Sequence, residues 1–215
     1  MTLVVATGNR GKFKEIAALL RGLGVRIVPL DRVGPVEVPP ESGDSFQENA
    51  RLKATAVSAA VGHLAIADDS GLEVDALGGK PGHLSARFGG EGKTDRERCR
   101  LVLEKLIGVP SEWRTARFRC AIAVAEPSGR VHLTEGTCEG RIAPSPRGTR
   151  GFGYDPIFEI PSLGRTLAEV GPDDKNRLSH RAQAVRAVRP ILERILLSYG
   201  AGAKEQRVSG RGAAR

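Results

Sequence analysis

The sequence has few of the residues that mark several large protein classes. Cysteine occurs only three times, at Cys99, Cys120 and Cys138, in no disulfide-like or metal-like pattern. This usage is typical of buried free thiols in a reducing cytoplasm. No apolar run approaches the ~20 residues that a membrane-spanning helix needs. No basic segment precedes the apolar N-terminus, so we interpret it as a first strand rather than a signal peptide, and we expect a cytoplasmic protein.

Aromatic residues are also scarce, whereas positive charge is not. The formal net charge of the 215 residues is +8, of which the segment 201–215 contributes +3. A basic chain suits a polyanionic partner, which leaves a nucleic acid, a membrane surface and a nucleotide open. An aromatic content of 4% and the lack of a basic stripe with interleaved aromatics disfavour a non-catalytic nucleic-acid-binding module.

The order of apolar segments predicts an α/β protein, because strand-like and helix-like stretches alternate. We expect strands at 3–6, 25–28 and 64–67, helices at 12–21, 45–61 and 94–107, and a hairpin at 117–125 and 131–138. A final helix begins near Ser179, and Pro190 is expected to kink or break it. Residues 1–200 are predicted to form one domain, and the Gly, Ala and Arg-rich segment 201–215 a disordered basic tail.

The first candidate site is a turn between a strand and a helix. It reads Thr-Gly-Asn-Arg-Gly-Lys from Thr7 to Lys12. Two glycines permit a tight turn, and the unpaired N–H groups of the following helix favour a phosphate. The spacing is not that of a Walker P-loop, so a plain strand–turn–helix connection remains an alternative.

Acidic residues make the second candidate site. Asp68 and Asp69 follow the predicted strand 64–67, and two carboxylates at a strand end suit a divalent cation or a general base. A simple turn is the alternative. Upstream, Glu41 lies on a loop and could reach a metal, while Lys53 lies on the predicted helix whose capping box is Ser45 and Glu48.

Two further segments carry groups suited to a purine base. The stretch 151–156 reads Gly-Phe-Gly-Tyr-Asp-Pro, and an aromatic ring flanked by glycines can lie flat against a base. Lys175 precedes Ser179, which has the position of an N-cap. His180 and Arg181 then project from the first helical turn with donors for a purine edge. Core packing and a charged surface helix are the respective alternatives.

Taken together, these segments resemble the inosine triphosphate pyrophosphatase family, the non-standard purine NTP pyrophosphatases. The resemblance runs in order from about 7 to 181, through the segments 7–15, 46–53, 67–72, 81–87, 151–156 and 179–181. It implies a long mixed central sheet flanked by helices, two lobes with an active-site cleft between them, and a homodimer. It also implies Mg²⁺ as cofactor and cleavage of a purine nucleoside triphosphate between its α and β phosphates.

The resemblance also implies residue roles. Asp69 matches the proton acceptor and a metal ligand, and Glu41 matches the other metal ligand. The positions that match substrate-binding residues are Thr7, Gly8, Asn9, Arg10, Gly11, Lys12, Lys53, Ser70, Phe152, Gly153, Tyr154, Asp155, Lys175, His180 and Arg181. The implied substrates are ITP, dITP and XTP; a pyrophosphatase for other modified nucleotides, such as modified pyrimidine triphosphates, is the remaining alternative.

Overall fold

A computed structural model describes the backbone of residues 1–209 and the side chains of residues 1–199. Its strands are β1 Thr2–Val5, β2 Arg26–Pro29, β3 Leu64–Val74, β4 Thr115–Ala125, β5 Val131–Ile142, β6 Phe158–Ile160 and β7 Arg165–Thr166. Its α-helices are α1 Arg10–Leu19, α2 Phe46–Val61, α3 Asp95–Lys105, α4 Pro172–Leu178 and α5 His180–Ser209.

The strands form one mixed sheet in the order β2-β1-β3-β4-β5-β6-β7. β1 is parallel to both of its neighbours, and every pairing from β3 onward is antiparallel. The predicted α/β class with a long mixed sheet flanked by helices is therefore confirmed. The division into two lobes stays a prediction.

β3 is much longer than the sequence indicates. The expected end at Ala67 is wrong, because β3 pairs with β4 from Ala65 as far as Val74. Its parallel neighbour β1 stops earlier, at Val5, which pairs with Ile66. The acidic pair that follows Ala67 thus lies inside a strand, just beyond the end of the adjacent parallel strand.

Both faces of the sheet are covered around β3. On one face, Leu64 and Ile66 pack in a core with α1 and α5. On the other face, Ala65 and Ala67 pack in a core with α2. Because side chains alternate along a strand, even-numbered residues of β3 face α1 and α5 in this region, and odd-numbered residues face α2.

The last helix differs from its prediction in two ways. It continues through Pro190, so the helix is not broken there, and the alternative of a kink stays a prediction; proline removes the N–H that would bond the carbonyl of Arg186. Its backbone also includes residues 201–209, where we predict a disordered tail. Ala, Lys, Glu, Gln and Arg there are good helix formers, which accounts for the difference. The remaining tail residues, 210–215, lie outside the described part.

The three cysteines are free and buried, as predicted. Over the residues that the structure describes, no helix combines the length and apolar character needed to cross a membrane.

Candidate active site

One cavity collects side chains from most of the predicted segments. Its wall includes Asn9, Lys12, Glu41, Asp69, Ser70, Phe152, Gly153, Tyr154, Asp155, His180 and Arg181. An adjoining cavity shares Asn9, Lys12 and Glu41, and adds Thr7, Gly8 and Lys53. The structure thus brings together segments that are far apart in the chain. Arg10, by contrast, lines a separate pocket between α1 and the segment 29–36, which Thr7 and Gly8 also line.

The glycine turn is held by its own asparagine. Asn9 caps α1, and its side-chain oxygen accepts from the N–H groups of Gly11 and Lys12 at 2.8 and 3.1 Å. The expectation that these N–H groups are unpaired is therefore wrong, because the N-cap side chain already satisfies them. What the turn offers a phosphate is the positive end of α1 and the ammonium of Lys12.

Asp69 lies in the cavity wall beside Lys53. The Asn49 amide nitrogen donates to Asp69 Oδ2 at 3.0 Å, and Lys53 Nζ lies 3.7 Å from Asp69 Oδ1. The same ammonium donates to Glu41 Oε1 at 2.7 Å. Burial raises the pKa of Asp69, Lys53 opposes this and the charge of Glu41 adds to it, so the pKa lies above its ordinary value. A raised pKa makes Asp69 a stronger base than a free aspartate.

Asn49 is itself fixed, so the orientation of Asp69 is supported from behind. Its side-chain oxygen accepts from the Gly43 N–H at 2.8 Å. Ser45 caps α2 by accepting from the Glu48 N–H, as predicted. The Glu48 carboxylate, however, accepts from the N–H of Asp44 rather than from Ser45, so the reciprocal half of the capping box is shifted by one residue.

Asp68 lies on the other face of β3 and contacts different partners. Its Oδ2 is 3.1 Å from Lys12 Nζ and accepts from the Arg181 guanidinium at 3.0 and 3.2 Å. Burial raises the pKa of Asp68, but the cations of Lys12 and Arg181 outweigh it and hold the pKa well below its ordinary value. The interpretation of Asp68 and Asp69 as a pair for one cation is wrong, because adjacent strand residues project to opposite faces.

Phe152 packs against the start of α1 and lies close to two cations, Lys175 and Arg181. A Cβ on Gly11 would lie 2.7 Å from its ring, so glycine is needed there for the ring to rest on α1. Lys175 Nζ lies 4.8 Å from the ring centroid and the Arg181 guanidinium carbon 5.6 Å, both within cation–π range. Asp155 orders this corner by accepting from the Phe152 N–H and from Lys175.

His180 is the first residue of α5, and Ser179 caps the helix by accepting from the Ala182 N–H, as predicted. The imidazole stacks on Phe118 with ring centroids 4.7 Å apart. Burial and the nearby cations of Arg181 and Lys175 place the pKa of His180 well below its ordinary value, so the ring is neutral. Its buried Nδ1 has no hydrogen-bond partner among the described residues.

Arg181 uses four of its five N–H donors within the protein. The residue is 1% exposed, and each nitrogen of its guanidinium bonds a carboxylate or hydroxyl of the protein. Its partners are Asp68, Glu15 and Ser70. The expectation of donors aimed at a purine therefore applies better to His180, which lines the cavity and whose Nδ1 has no partner among the described residues.

A divalent cation fits this site through two carboxylates. Glu41 and Asp69 both approach the ammonium of Lys53, at 2.7 and 3.7 Å, so their carboxylate oxygens lie close to one point. Within the described part of the chain there is no group of three or more His, Cys, Asp or Glu side chains suited to a metal. Mg²⁺ commonly uses one or two carboxylates and completes its shell with water and phosphate oxygens, so the donor set fits that ion.

Several cavity residues were not predicted from the sequence. His83, Ser85, Asp95 and Arg98 line the same cavity. Asp95 accepts from the Gly153 N–H at 2.7 Å, and so ties α3 to the loop that carries Phe152. Asp95 also lies in the first turn of α3 behind its cap Thr94, where an acidic residue is ordinary, so no local signal marked it.

Comparison with known proteins identifies the family. A sequence model of the Ham1 family matches residues 3–191. The chain is 48% identical over 197 residues to a dITP/XTP pyrophosphatase of Desulforamulus reducens, covering 92% of this chain and 98% of that one. It is 47% identical to a dITP/XTP pyrophosphatase of Bacillus subtilis, over 88% of this chain and 96% of that one.

A solved structure agrees with the sequence comparisons. A HAM1 protein of Coxiella burnetii superposes with a TM-score of 0.81 at 41% identity, and the match covers 89% of this chain and 98% of that one. The chain belongs to the Ham1 family, and the resemblance inferred from its motifs is confirmed.

Proposed function

We propose that the protein hydrolyses non-standard purine nucleoside triphosphates, namely ITP, dITP and XTP, to the monophosphate and pyrophosphate. One observation carries the proposal: Asp69, with its raised pKa, lines the same cavity as Lys12 and the aromatic pocket of Phe152 and His180. A base, a cation and a stacking surface in one cleft are what hydrolysis of a nucleotide anhydride requires. The relatives named dITP/XTP pyrophosphatase support the choice of substrate.

The phosphate end of the site is formed by Lys12, Lys53 and the N-terminus of α1. Negative charge spreads over the phosphates as pyrophosphate leaves, so fixed positive charge lowers the barrier. Lys53 is 8% exposed and Lys12 is held by Asp68, so neither ammonium must be ordered when substrate binds. This preorganisation favours a defined triphosphate geometry over loose attraction.

Asp69 accepts a proton from the water that attacks the α phosphorus. Its Oδ2 is held by Asn49, and its Oδ1 accepts from the Ser70 N–H at 3.0 Å. Mg²⁺ bound by Glu41 and Asp69 would supply Lewis-acid charge neutralisation at the phosphates. General-base catalysis of this kind contributes typically ~10²–10⁴-fold.

Base selection rests on the neutral His180. Inosine and xanthine carry an oxygen at position 6, where adenine carries an amino group. If Nδ1 carries the proton, His180 donates to that oxygen, and adenine leaves the donor unpaired at a cost of about 1–3 kcal/mol. Phe152 supplies the stacking face beside it, with Lys175 and Arg181 on the ring.

A substrate panel tests the proposal. Pyrophosphate release is measured with ITP, dITP, XTP, GTP, ATP and dUTP, each with Mg²⁺ and with EDTA. We expect release from the first three and at least about fivefold less from ATP, as one unpaired donor predicts. Activity should be lost in EDTA, because the metal is removed. Faster release from dUTP than from ITP would instead indicate a pyrophosphatase for other nucleotides.

We also propose that the enzyme acts as a homodimer in the cytoplasm. The family resemblance supports the dimer, and three free, buried thiols suit a reducing compartment. Light scattering of the purified full chain at several concentrations tests the dimer; a monomer mass throughout would refute it.

A further inference from the structure

The proposal concerns Asp68, to which the family resemblance assigns no role and the proposed chemistry only the contact with Lys12. Asp68 is fully buried on the face of β3 that packs against α1 and α5. It does not line either part of the cleft, whereas its neighbour Asp69 does. The Asp68 carboxylate instead contacts Lys12, Ser70 and Arg181, whose side chains do line the cleft.

The contacts of Asp68 join groups from both ends of the cleft. At its Oδ2, Lys12 of the phosphate end approaches within 3.1 Å. The same oxygen accepts two hydrogen bonds from Arg181 of the base end, and a third from the Ser70 hydroxyl at 3.2 Å. One carboxylate oxygen thus fixes a cation on α1 and a cation on α5 at the same time.

The contacts of the Asp68 carboxylate favour a role other than metal binding. Its Oδ2 already meets the cations of Lys12 and Arg181 and the Ser70 hydroxyl. Its Oδ1 is buried and has no hydrogen-bond partner among the described residues. The burial and the cation contacts together favour a structural charge that positions other groups.

Arg181 has a second anchor, which makes the arrangement a chain of alternating charges. Glu15 of α1 accepts from Arg181 and lies 2.9 Å from Lys175, which in turn contacts Asp155. Within this chain, Asp68 is the member that contacts a phosphate-end lysine and a base-end arginine together. Losing its charge would therefore loosen both ends of the cleft.

We propose that Asp68 is a positioning residue that couples the phosphate grip of Lys12 to the base pocket through Arg181, and that it is not a metal ligand. This inference rests on the proposed function, since it assigns the two ends of the cleft to phosphates and base. Asp68 acts through its neighbours and does not touch the reacting atoms. Its removal should weaken binding and base discrimination, while leaving the metal requirement as it is.

The test compares Asp68→Asn with Asp69→Asn, two isosteric changes one residue apart. For Asp68→Asn we expect KM for ITP and the inhibition constant of inorganic tripolyphosphate to rise about tenfold, as a lost charge-assisted contact predicts. The ratio of kcat/KM for ITP over ATP should fall, and the Mg²⁺ concentration for half-maximal rate should not change. For Asp69→Asn we expect a fall in kcat with little change in KM.

A double variant keeps the proposal testable if the Asp68→Asn protein does not fold. Asp68→Asn/Lys12→Gln loses one charge of each sign, and is compared with Lys12→Gln alone. If Asp68 acts on phosphates through Lys12, adding Asp68→Asn to Lys12→Gln should change tripolyphosphate affinity less than about threefold. A further tenfold loss in that background would overturn the coupling to Lys12.

Three outcomes separate the possibilities. An unchanged KM with reduced kcat and a raised Mg²⁺ requirement would make Asp68 a metal ligand and refute the proposal. Wild-type behaviour of Asp68→Asn in every readout would also refute it. If wild-type protein releases no pyrophosphate from ITP, the proposed function fails, while calorimetric titration with tripolyphosphate still decides whether Asp68 positions Lys12.

Discussion

The two faces of β3 give adjacent aspartates opposite properties. Asp69 faces α2, lines the cleft and shares one ammonium with Glu41, and its pKa is raised. Asp68 faces α1 and α5, is closed off from the cleft and meets Lys12 and Arg181, and its pKa is lowered. Burial raises the pKa of both carboxyl groups, so the neighbouring charges decide the difference.

One strand can therefore hold a catalytic carboxylate and a positioning carboxylate in two different surroundings. A base must lose and gain a proton near working pH, so it needs a raised pKa. A positioning group must stay charged, so it needs cations around it. Because successive side chains of a strand point to opposite faces of the sheet, two neighbouring residues can lie in two different environments.

The largest expected effect is on the cleft-facing side. Asp69→Asn should lower kcat by at least ~100-fold, because it removes a general base. Steady-state kinetics with ITP measure the change, and a thermal unfolding curve checks that the variant folds. A near-wild-type rate would remove Asp69 from the chemistry and with it the contrast between the two faces.

A substitution at Lys53 tests whether its ammonium, which contacts both Glu41 and Asp69, binds the phosphates or stabilises the fold. Lys53→Ala should raise KM for ITP about tenfold, because one charge-assisted contact to the phosphates is lost. The melting temperature should change far less than the affinity. An unfolded Lys53→Ala protein would instead assign the lysine to holding the two carboxylates together.

The pH dependence of the free energy of unfolding tests whether His180, on the α5 side of the cleft, is neutral in the folded protein. Its pKa is below 6.5 in the folded protein, so as pH falls below 6.5 the unfolded chain gains a proton that the folded one does not. The free energy of unfolding should then decrease by up to about 1.4 kcal/mol per pH unit until the folded pKa is reached.

Urea denaturation between pH 7.5 and 5 measures this slope, with His180→Gln as the matched control. The control lacks the titrating group and should show a shallower dependence on pH. Equal slopes for the two proteins would mean that the pKa of His180 is not lowered by folding, and would contradict a neutral ring at pH 5.

The smallest expected effect concerns the acid limb of the rate profile. kcat/KM should fall as pH decreases and Asp69 takes up a proton, because the protonated form is no base. The Asn49 amide stabilises the ionised carboxylate, so Asn49→Ala should move this limb to higher pH. The pH dependence of kcat/KM for ITP is measured for the wild-type protein and for Asn49→Ala. A shift of the acid limb to lower pH in the variant would contradict its assignment to Asp69.

The alternation of apolar segments predicts the α/β class and most helices, because these depend on local periodicity. The long mixed sheet and the grouping of the motif segments in one cleft are expected from the family resemblance that those motifs carry. It does not predict the length of β3: Asp-Asp-Ser-Gly after Ala67 has the composition of a turn, and only pairing with β4 makes it a strand. Hence the opposite faces of Asp68 and Asp69 could not be foreseen.

Long-range contacts account for the remaining differences. Arg181 looks like a free donor at a helix start, and only the fold brings Glu15 and Asp68 to it. Asp95 looks like a residue of an ordinary helix start, and only the fold brings the Gly153 N–H to it. Such roles arise from residues more than fifty positions apart, which no local pattern encodes.

The most direct measurement of the central claim follows the oxygen of the attacking water. Hydrolysis of ITP by the wild-type protein is run with Mg²⁺ in ¹⁸O-labelled water, and both products are analysed by mass spectrometry. Attack at the α phosphorus, with Asp69 as base, predicts one labelled oxygen in IMP and none in pyrophosphate. Label in pyrophosphate, or release of IDP and phosphate, would contradict the account.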